Sequence, residues 1–251
     1  MNYLEISKLS KTFVIKNEKI PVIDDLDLVI ADGEFCCIFG PNGCGKTTLL
    51  NILAGLIPNE QGKATIAGKL PKDYRVSFVF QNYNDFLLPW LRTDDNILLP
   101  LELRGISEEE KETRLNELVK RFHVNFSLNS FPYQLSGGQQ QMISLLRALI
   151  DDSQLLLLDE PFSGLDYKLK DEAVALLTDY WKKRKNTIIF VTHNLEDAIL
   201  MGTRIITFKK RPLDNGFLSC DVPLTYPRQK SFLNSAEFRQ VHSTILNFLI
   251  K

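Results

Sequence analysis

Apolar residues along the first third of the chain alternate or form short continuous runs, which predicts strands over 3–9, 12–16, 26–30 and 34–39. The last of these, EFCCIF, is almost wholly apolar, the pattern of a strand covered on both faces. A glycine-rich turn leads into a helix over about 46–56, which Gly55 and Pro58 help to end, and strands follow near 63–67 and 75–80. Beyond residue 92 the period changes. Segment 107–122 opens with Ser107 and three glutamates and places Leu115, Leu118, Val119 and Phe122 on one face, so it predicts a capped amphipathic helix. A second helix is predicted over 137–150. From 154 the order is strand 154–158, helix 168–184, strand 187–191, helix 194–201 and strand 203–208, an alternation that argues for a parallel sheet flanked by helices. A Pro-containing connection over 212–230 precedes an amphipathic helix over about 235–250, with Phe238, Val241, Ile245 and Leu249 on one side.

Composition adds mainly exclusions. The chain has 251 residues, 44% hydrophobic and 24% charged, the balance of an ordinary globular protein. Lys and Arg (30) nearly offset Asp and Glu (31), giving a formal charge of −1. The run KKRK at 182–185 falls at a helix C-terminus, where the dipole favours cations, so no nucleic-acid partner is expected. The longest apolar stretches, LLLL at 155–158 and IIFV at 188–191, are strand-length, whereas a helix needs about 20 apolar residues to cross a bilayer. The N-terminus, MNYLEISKLSKTF, lacks the apolar core of a signal peptide. Of four cysteines, the neighbours Cys36 and Cys37 sit on opposite faces of one strand and cannot clasp a metal together. No CxxC pair exists, so all four are expected reduced, as in the cytoplasm.

The chemistry begins at GPNGCGKTT, residues 40–48, between a predicted strand and a predicted helix. Gly40, Gly43 and Gly45 permit backbone conformations that let successive N–H groups converge on a β-phosphate, and the helix adds its positive end. Pro41, Asn42 and Cys44 complete the loop. Lys46 is placed to reach the β- and γ-phosphates, Thr47 to ligate Mg²⁺, and Thr48 to touch the α-phosphate. ATP and Mg²⁺ are therefore the expected ligands. Downstream, QLLLLDEP at 154–161 ends an apolar strand in two carboxylates. Asp159 suits a role at Mg²⁺ and Glu160, one residue further, that of a general base for the attacking water. LSGGQ at 135–139 forms a second anion-seeking helix end: Ser136 is a natural N-cap and Gly137 and Gly138 expose backbone N–H groups ahead of Gln139. One nucleotide site does not need two such ends.

GPNGCGKTT, Gln81, LSGGQ, LLLLDEP, SGLD at 163–166 and His193 in VTH occur together in the order seen in the ATP-binding-cassette ATPase family, and the chain resembles that family from about residue 3 to 208. The resemblance implies an α/β fold with a P-loop NTPase core and a mixed sheet, an N-terminal antiparallel β subdomain and an inserted α-helical subdomain. The core with its β subdomain would take residues 1–85 and 152–210, the helical subdomain 86–151, and a C-terminal helical extension 230–251. It also implies a head-to-tail homodimer, or a pair with a similar subunit, in which Ser136, Gly137, Gly138 and Gln139 of one copy meet the γ-phosphate held by the other. Gln81 would ligate Mg²⁺ and sense the γ-phosphate, and His193 would contact that phosphate and orient Glu160. Asp166 would lie at the dimer interface. Phe13 takes the position of the family's adenine-stacking aromatic, usually Tyr; read without the family, it is a core residue. Met142 stands where relatives commonly have a basic residue, and Gly164 where Ala is frequent.

The resemblance is nearest to importers of the nitrate, sulfonate and taurine group. It implies integral-membrane permease subunits, an extracytoplasmic solute-binding protein and a place at the cytoplasmic membrane face. Segment 82–105 would dock the permease, with Phe86, Leu87, Leu88, Pro89, Trp90 and Leu91 as candidate anchors, about half of them expected in the core. A soluble mechanical ATPase acting on ribosomes or DNA, an exporter motor, and a non-hydrolysing structural cassette are the alternatives.

Overall fold

The structure, a computed structural model, describes residues 2–82, 86–222, 228 and 230–250. It opens with strands β1 (Asn2–Ile15) and β2 (Glu18–Ala31), antiparallel and joined by Lys16 and Asn17, both with positive φ as a tight two-residue hairpin requires. The strands expected at 3–9 and 12–16 are one strand. Register against β2 slips between Ile6 and Leu9 and again before Lys11, and such bulges interrupt the alternation that marks a strand in sequence. Strand β4 (Gln61–Ile66) pairs with the other edge of β1, closing a sheet of order β2-β1-β4.

The second sheet combines β3 (Phe35–Phe39), β5 (Val76–Val79), β6 (Leu155–Asp159), β7 (Thr187–Thr192), β8 (Arg204–Thr207) and β9 (Leu218–Asp221) in the order β5-β6-β7-β3-β8-β9. All neighbours are parallel except β9, which runs antiparallel to β8. The mixed sheet is as expected, but β9 lies in the segment read as a connection, because LSCD is too short and polar to stand out. The helices are α1 (Lys46–Leu53), α2 (Thr93–Glu102), α3 (Glu108–Arg121), α4 (Gly137–Ile150), α5 (Tyr167–Arg184), α6 (Leu195–Met201) and α7 (Ala236–Ile250). Helix α1 is shorter than the expected 46–56.

Alternate residues of the apolar strands feed two cores. Cys36, Ile38, Leu155, Leu157, Ile189 and Val191 pack with α1 and the antiparallel sheet, while Phe35, Cys37, Leu156, Leu158, Ile188 and Phe190 pack with residues of α4, α5 and α6. The continuous hydrophobicity of these strands therefore reflects burial on both faces. Among the described residues no helix is long and apolar enough to cross a membrane.

Helix α2 escaped prediction because Pro100 stands inside it and Asp94, Asp95 and Asn96 read as turn residues. Tertiary bonds stabilise it: Thr93 donates through its hydroxyl to the Ser130 carbonyl at 2.8 Å, and buried Asn96 donates to the carbonyls of Leu88 and Leu91 at 3.0 and 3.1 Å. The expected anchors divide. Leu87 is buried and Leu88 and Leu91 half-buried, whereas Phe86, Pro89 and Trp90 are exposed, Trp90 by 69%. Tyr83, Asn84 and Asp85 of that segment lie outside the described residues. Helix α7 buries Phe238, Val241 and Ile245, the face its periodicity marked. Met142 is buried in the helical core, where a longer basic side chain would lose its hydration.

All four cysteines are free, and only Cys220 is not buried. Burial pushes the thiols of Cys36, Cys37 and Cys44 up, and acts on Cys220 too, but Cys220 retains access to solvent. Ellman's reagent at mildly alkaline pH should therefore modify one thiol of the folded protein, a phase that Cys220→Ser removes. The remaining three should react only after unfolding in guanidinium.

Candidate active site

The parallel register brings the chemistry to one edge of the sheet. Strands β5, β6, β7 and β3 all end there, and the residues that follow them are Gln81, Glu160, His193 and the loop starting at Gly40. Catalytic groups on α/β sheets collect at this carboxyl edge because the connecting loops leave it free.

The loop between β3 and α1 is shaped by two glycines. A Cβ on Gly40 would stand 2.8 Å from the Phe208 carbonyl, and one on Gly45 would stand 2.9 Å from both Cγ1 and the carbonyl of Val22, with φ at +121°. Side chains at either point would push the loop off the neighbouring strands. Lys46 is buried and its ammonium donates to the carbonyls of Gly40 and Pro41 at 2.8 and 2.9 Å, so the cation lies over the loop's own mouth. Residues Asn42, Gly43, Gly45, Lys46, Thr47 and Thr48 line a cavity of about 500 Å³, and Asp159, Glu160 and Gln81 share it. Cys44 is turned inward and buried.

Asp159, the last residue of β6, is only 1% exposed, and neither side-chain oxygen has a hydrogen-bond partner of good geometry. Burial pushes its carboxyl above the ordinary value; the nearby Thr47 hydroxyl opposes the shift, the Glu160 charge adds to it, and Lys46 opposes it. An unpaired buried carboxylate beside a hydroxyl is the donor set a hard divalent cation takes, with phosphate oxygens and water completing its shell. Among the described residues no three His, Cys, Asp or Glu side chains cluster as a metal cage.

Glu160 has φ of +49°, a conformation that a non-glycine residue adopts at a cost of about 1–3 kcal/mol. Two bonds hold it there: its amide donates to the Val191 carbonyl at 3.0 Å, and its carbonyl accepts from the Ser163 amide at 3.1 Å. The buried carboxyl then lies 2.7 Å from Nδ1 of His193. A carboxylate only accepts, so Nδ1 carries the proton and Nε2 is left for another partner.

The apolar end of the cavity is formed by Phe13, Ile15, Ile20 and Val22. Phe13 is not a core residue; its ring is 37% exposed, and the Lys11 ammonium lies 5.2 Å from its centroid. The LSGGQ segment is elsewhere. Ser136 caps α4 by accepting from the Gln139 amide at 3.3 Å, the Gln139 side chain accepts from the Ser136 amide at 2.9 Å, and none of Ser136, Gly137, Gly138 or Gln139 lines the cavity. Asp166 is exposed and accepts from the Leu169 amide at 3.0 Å, capping α5. Sequence reading missed two connections. Buried Gln141 donates to the Pro161 carbonyl at 2.7 Å, tying α4 to the turn after Glu160, and Arg211 lines the cavity. The glutamine sits in a QQQ run and the arginine in a KKRP loop, neither of which carries a periodic or motif signal.

Residues 23–163 match the family described as ABC transporter. The taurine import ATP-binding protein TauB of Escherichia coli is 36% identical over 212 residues, which cover 83% of this chain and 81% of that protein. The aliphatic sulfonates import ATP-binding protein SsuB of Bacillus subtilis is 34% identical over 246 residues, covering 96% of this chain and 92% of that one. Solved structures of the ATP-binding cassette MJ0796, a bacterial ABC transporter cassette, show it as a dimer and in a post-hydrolysis state with ADP and Pi. Both align with a TM-score of 0.80 at 30% identity, over 88% of this chain and 100% of theirs. With a phosphate loop, a paired glutamate and histidine and relatives of this extent, the chain belongs to the ABC transporter family and is one of its ATPases.

Proposed function

We propose that this chain is the ATP-hydrolysing subunit of an importer, acting as a pair of copies docked on a permease at the cytoplasmic face of a membrane. The observation that carries the reading is the 2.7 Å contact between Glu160 and His193 at the rim of a cavity floored by the phosphate loop. Loop amides, the N-terminus of α1 and the Lys46 ammonium bind the phosphates. Glu160 accepts a proton from the attacking water, while His193, as an imidazolium, donates from Nδ1 to that carboxylate and from Nε2 to the γ-phosphate. Thr47, Asp159 and Gln81 would hold Mg²⁺, which when bound neutralises charge between the β- and γ-phosphates. Phe13 stacks on adenine with the face that Lys11 leaves open.

Ser136–Gln139 lies outside the cavity of its own chain, so we assign it to the ATP of the partner copy, with Asp166 at the same interface. ATP then favours the closed pair and ADP does not, and the permease reads the difference. Residues 86–151 would form the helical unit that carries this signal to the permease through the exposed Phe86, Pro89 and Trp90. Taurine and sulfonate relatives favour import of a small organic anion delivered by an extracytoplasmic binding protein.

Phosphate release by Glu160→Gln should fall about 10²–10⁴-fold while equilibrium ATP binding persists; equal rates in the two proteins would remove Glu160 from the mechanism. With Mg-ATP at saturation, light scattering should find the same variant as a dimer in the presence of its permease, and a monomer under those conditions would end the paired-site reading. Pull-down from detergent-solubilised membranes should recover integral-membrane subunits, with recovery reduced several-fold by Trp90→Ala; ribosomes or DNA in their place would favour a mechanical ATPase.

A further inference from the structure

The loop after β8 occupies the same carboxyl edge of the sheet as the phosphate loop, and it contains three consecutive cations, Lys209, Lys210 and Arg211. Both ends of the loop are fixed. On one side the Phe208 amide donates to the Phe39 carbonyl at 2.9 Å. On the other, the Leu213 amide donates to the Val22 carbonyl and its carbonyl accepts from the Asp24 amide, each at 2.9 Å, and the Leu213 side chain lies 3.2 Å from where a Gly45 Cβ would be. The cations between these anchors go different ways. All three are exposed; Lys209 lies 4.4 Å from the centroid of the Phe248 ring, whereas Arg211 lines the cavity. Among the described residues Arg211 has no ion-pair or hydrogen-bond partner.

The anchors also locate it along that cavity. Leu213 touches Val22, part of the apolar end, and Gly45, part of the phosphate end, so the loop crosses where the two meet. A nucleotide with its base on Phe13 and its terminal phosphates over Lys46 presents its α-phosphate at that boundary. We propose that Arg211 is a nucleotide-binding residue whose guanidinium pairs with the α-phosphate of ATP, from a loop outside the recognised motifs of the chain. The assignment rests on ATP occupying this cavity. A planar fork of donors suits phosphate oxygens, and a contact at the α-phosphate serves ATP, ADP and AMP alike. That separates it from Lys46, which acts on the distal phosphates.

Calorimetric titration with ATP and ADP, and displacement of a fluorescent ATP analogue by AMP and adenosine, test this on the full chain. Arg211→Ala should raise the Kd for ATP, ADP and AMP by a common factor of about ten and leave adenosine unchanged, with Arg211→Lys in between. A matching melting temperature checks the fold. Unchanged affinities for the three phosphorylated ligands, a loss confined to ATP, or an equal loss for adenosine would each overturn the assignment. Lys46→Ala tests the underlying reading separately: should it bind ATP as well as the wild type does, the cavity itself is not the nucleotide site.

Discussion

The hydrogen bond from the Glu160 amide to the Val191 carbonyl extends the β6–β7 register one residue past the strand end. It holds Glu160 in a left-handed conformation and delivers its carboxyl to His193, which follows β7 by one residue. The site depends on that register. Were β6 shifted by one residue against β7, Asp159 and Glu160 would exchange faces, and Asp159 would no longer be the carboxylate beside Thr47. The leucines do not set that register, since Leu155 and Leu157 fill one core and Leu156 and Leu158 the other, and a slip would exchange like for like; the polar end of the strand, Asp159 with the Glu160–Val191 bond, sets it.

Around this frame the cavity balances two cations, Lys46 and Arg211, against two carboxylates, Asp159 and Glu160. The carboxylates differ in what surrounds them. Glu160 has an imidazole partner, whereas Asp159 has no partner of good geometry and its protonation is favoured by burial. The two carboxylates thus differ by environment and not by residue type, which is the basis on which we propose Glu160 for the proton and Asp159 for the cation. The capped start of α4 stands away from both. Its own box satisfies the Gln139 amide, while the first-turn amides of Gly137 and Gly138 have no intrahelical acceptor. The MJ0796 cassette, similar over most of the chain, has been solved as a dimer.

Motif residues and their flanking periodicity were sufficient to place the phosphate loop, the carboxylate strand and the two-faced burial of the sheet. Apolar runs, glycines and caps are local signals, and each sits within a few residues of what it specifies. The alternation after residue 154 likewise implied parallel strands, since a crossover helix leaves little other choice. Where the local signal was corrupted, the reading failed. Bulges split β1 in two, Pro100 hid α2, and β9 was too short and polar to register.

Long-range contacts supplied what remained. Nothing local says that Gln141 reaches the Pro161 carbonyl, that Phe13 leaves the core to line a cavity, or that Arg211 crosses to the nucleotide end of β2. Those placements arise from strand order, because β8 lies beside β3 and β2 packs against the start of α1. Chemistry carried by residues adjacent along the chain was readable from composition and spacing, whereas chemistry assembled across the sheet depends on which strands hydrogen-bond to which, a property that no window of neighbouring residues contains.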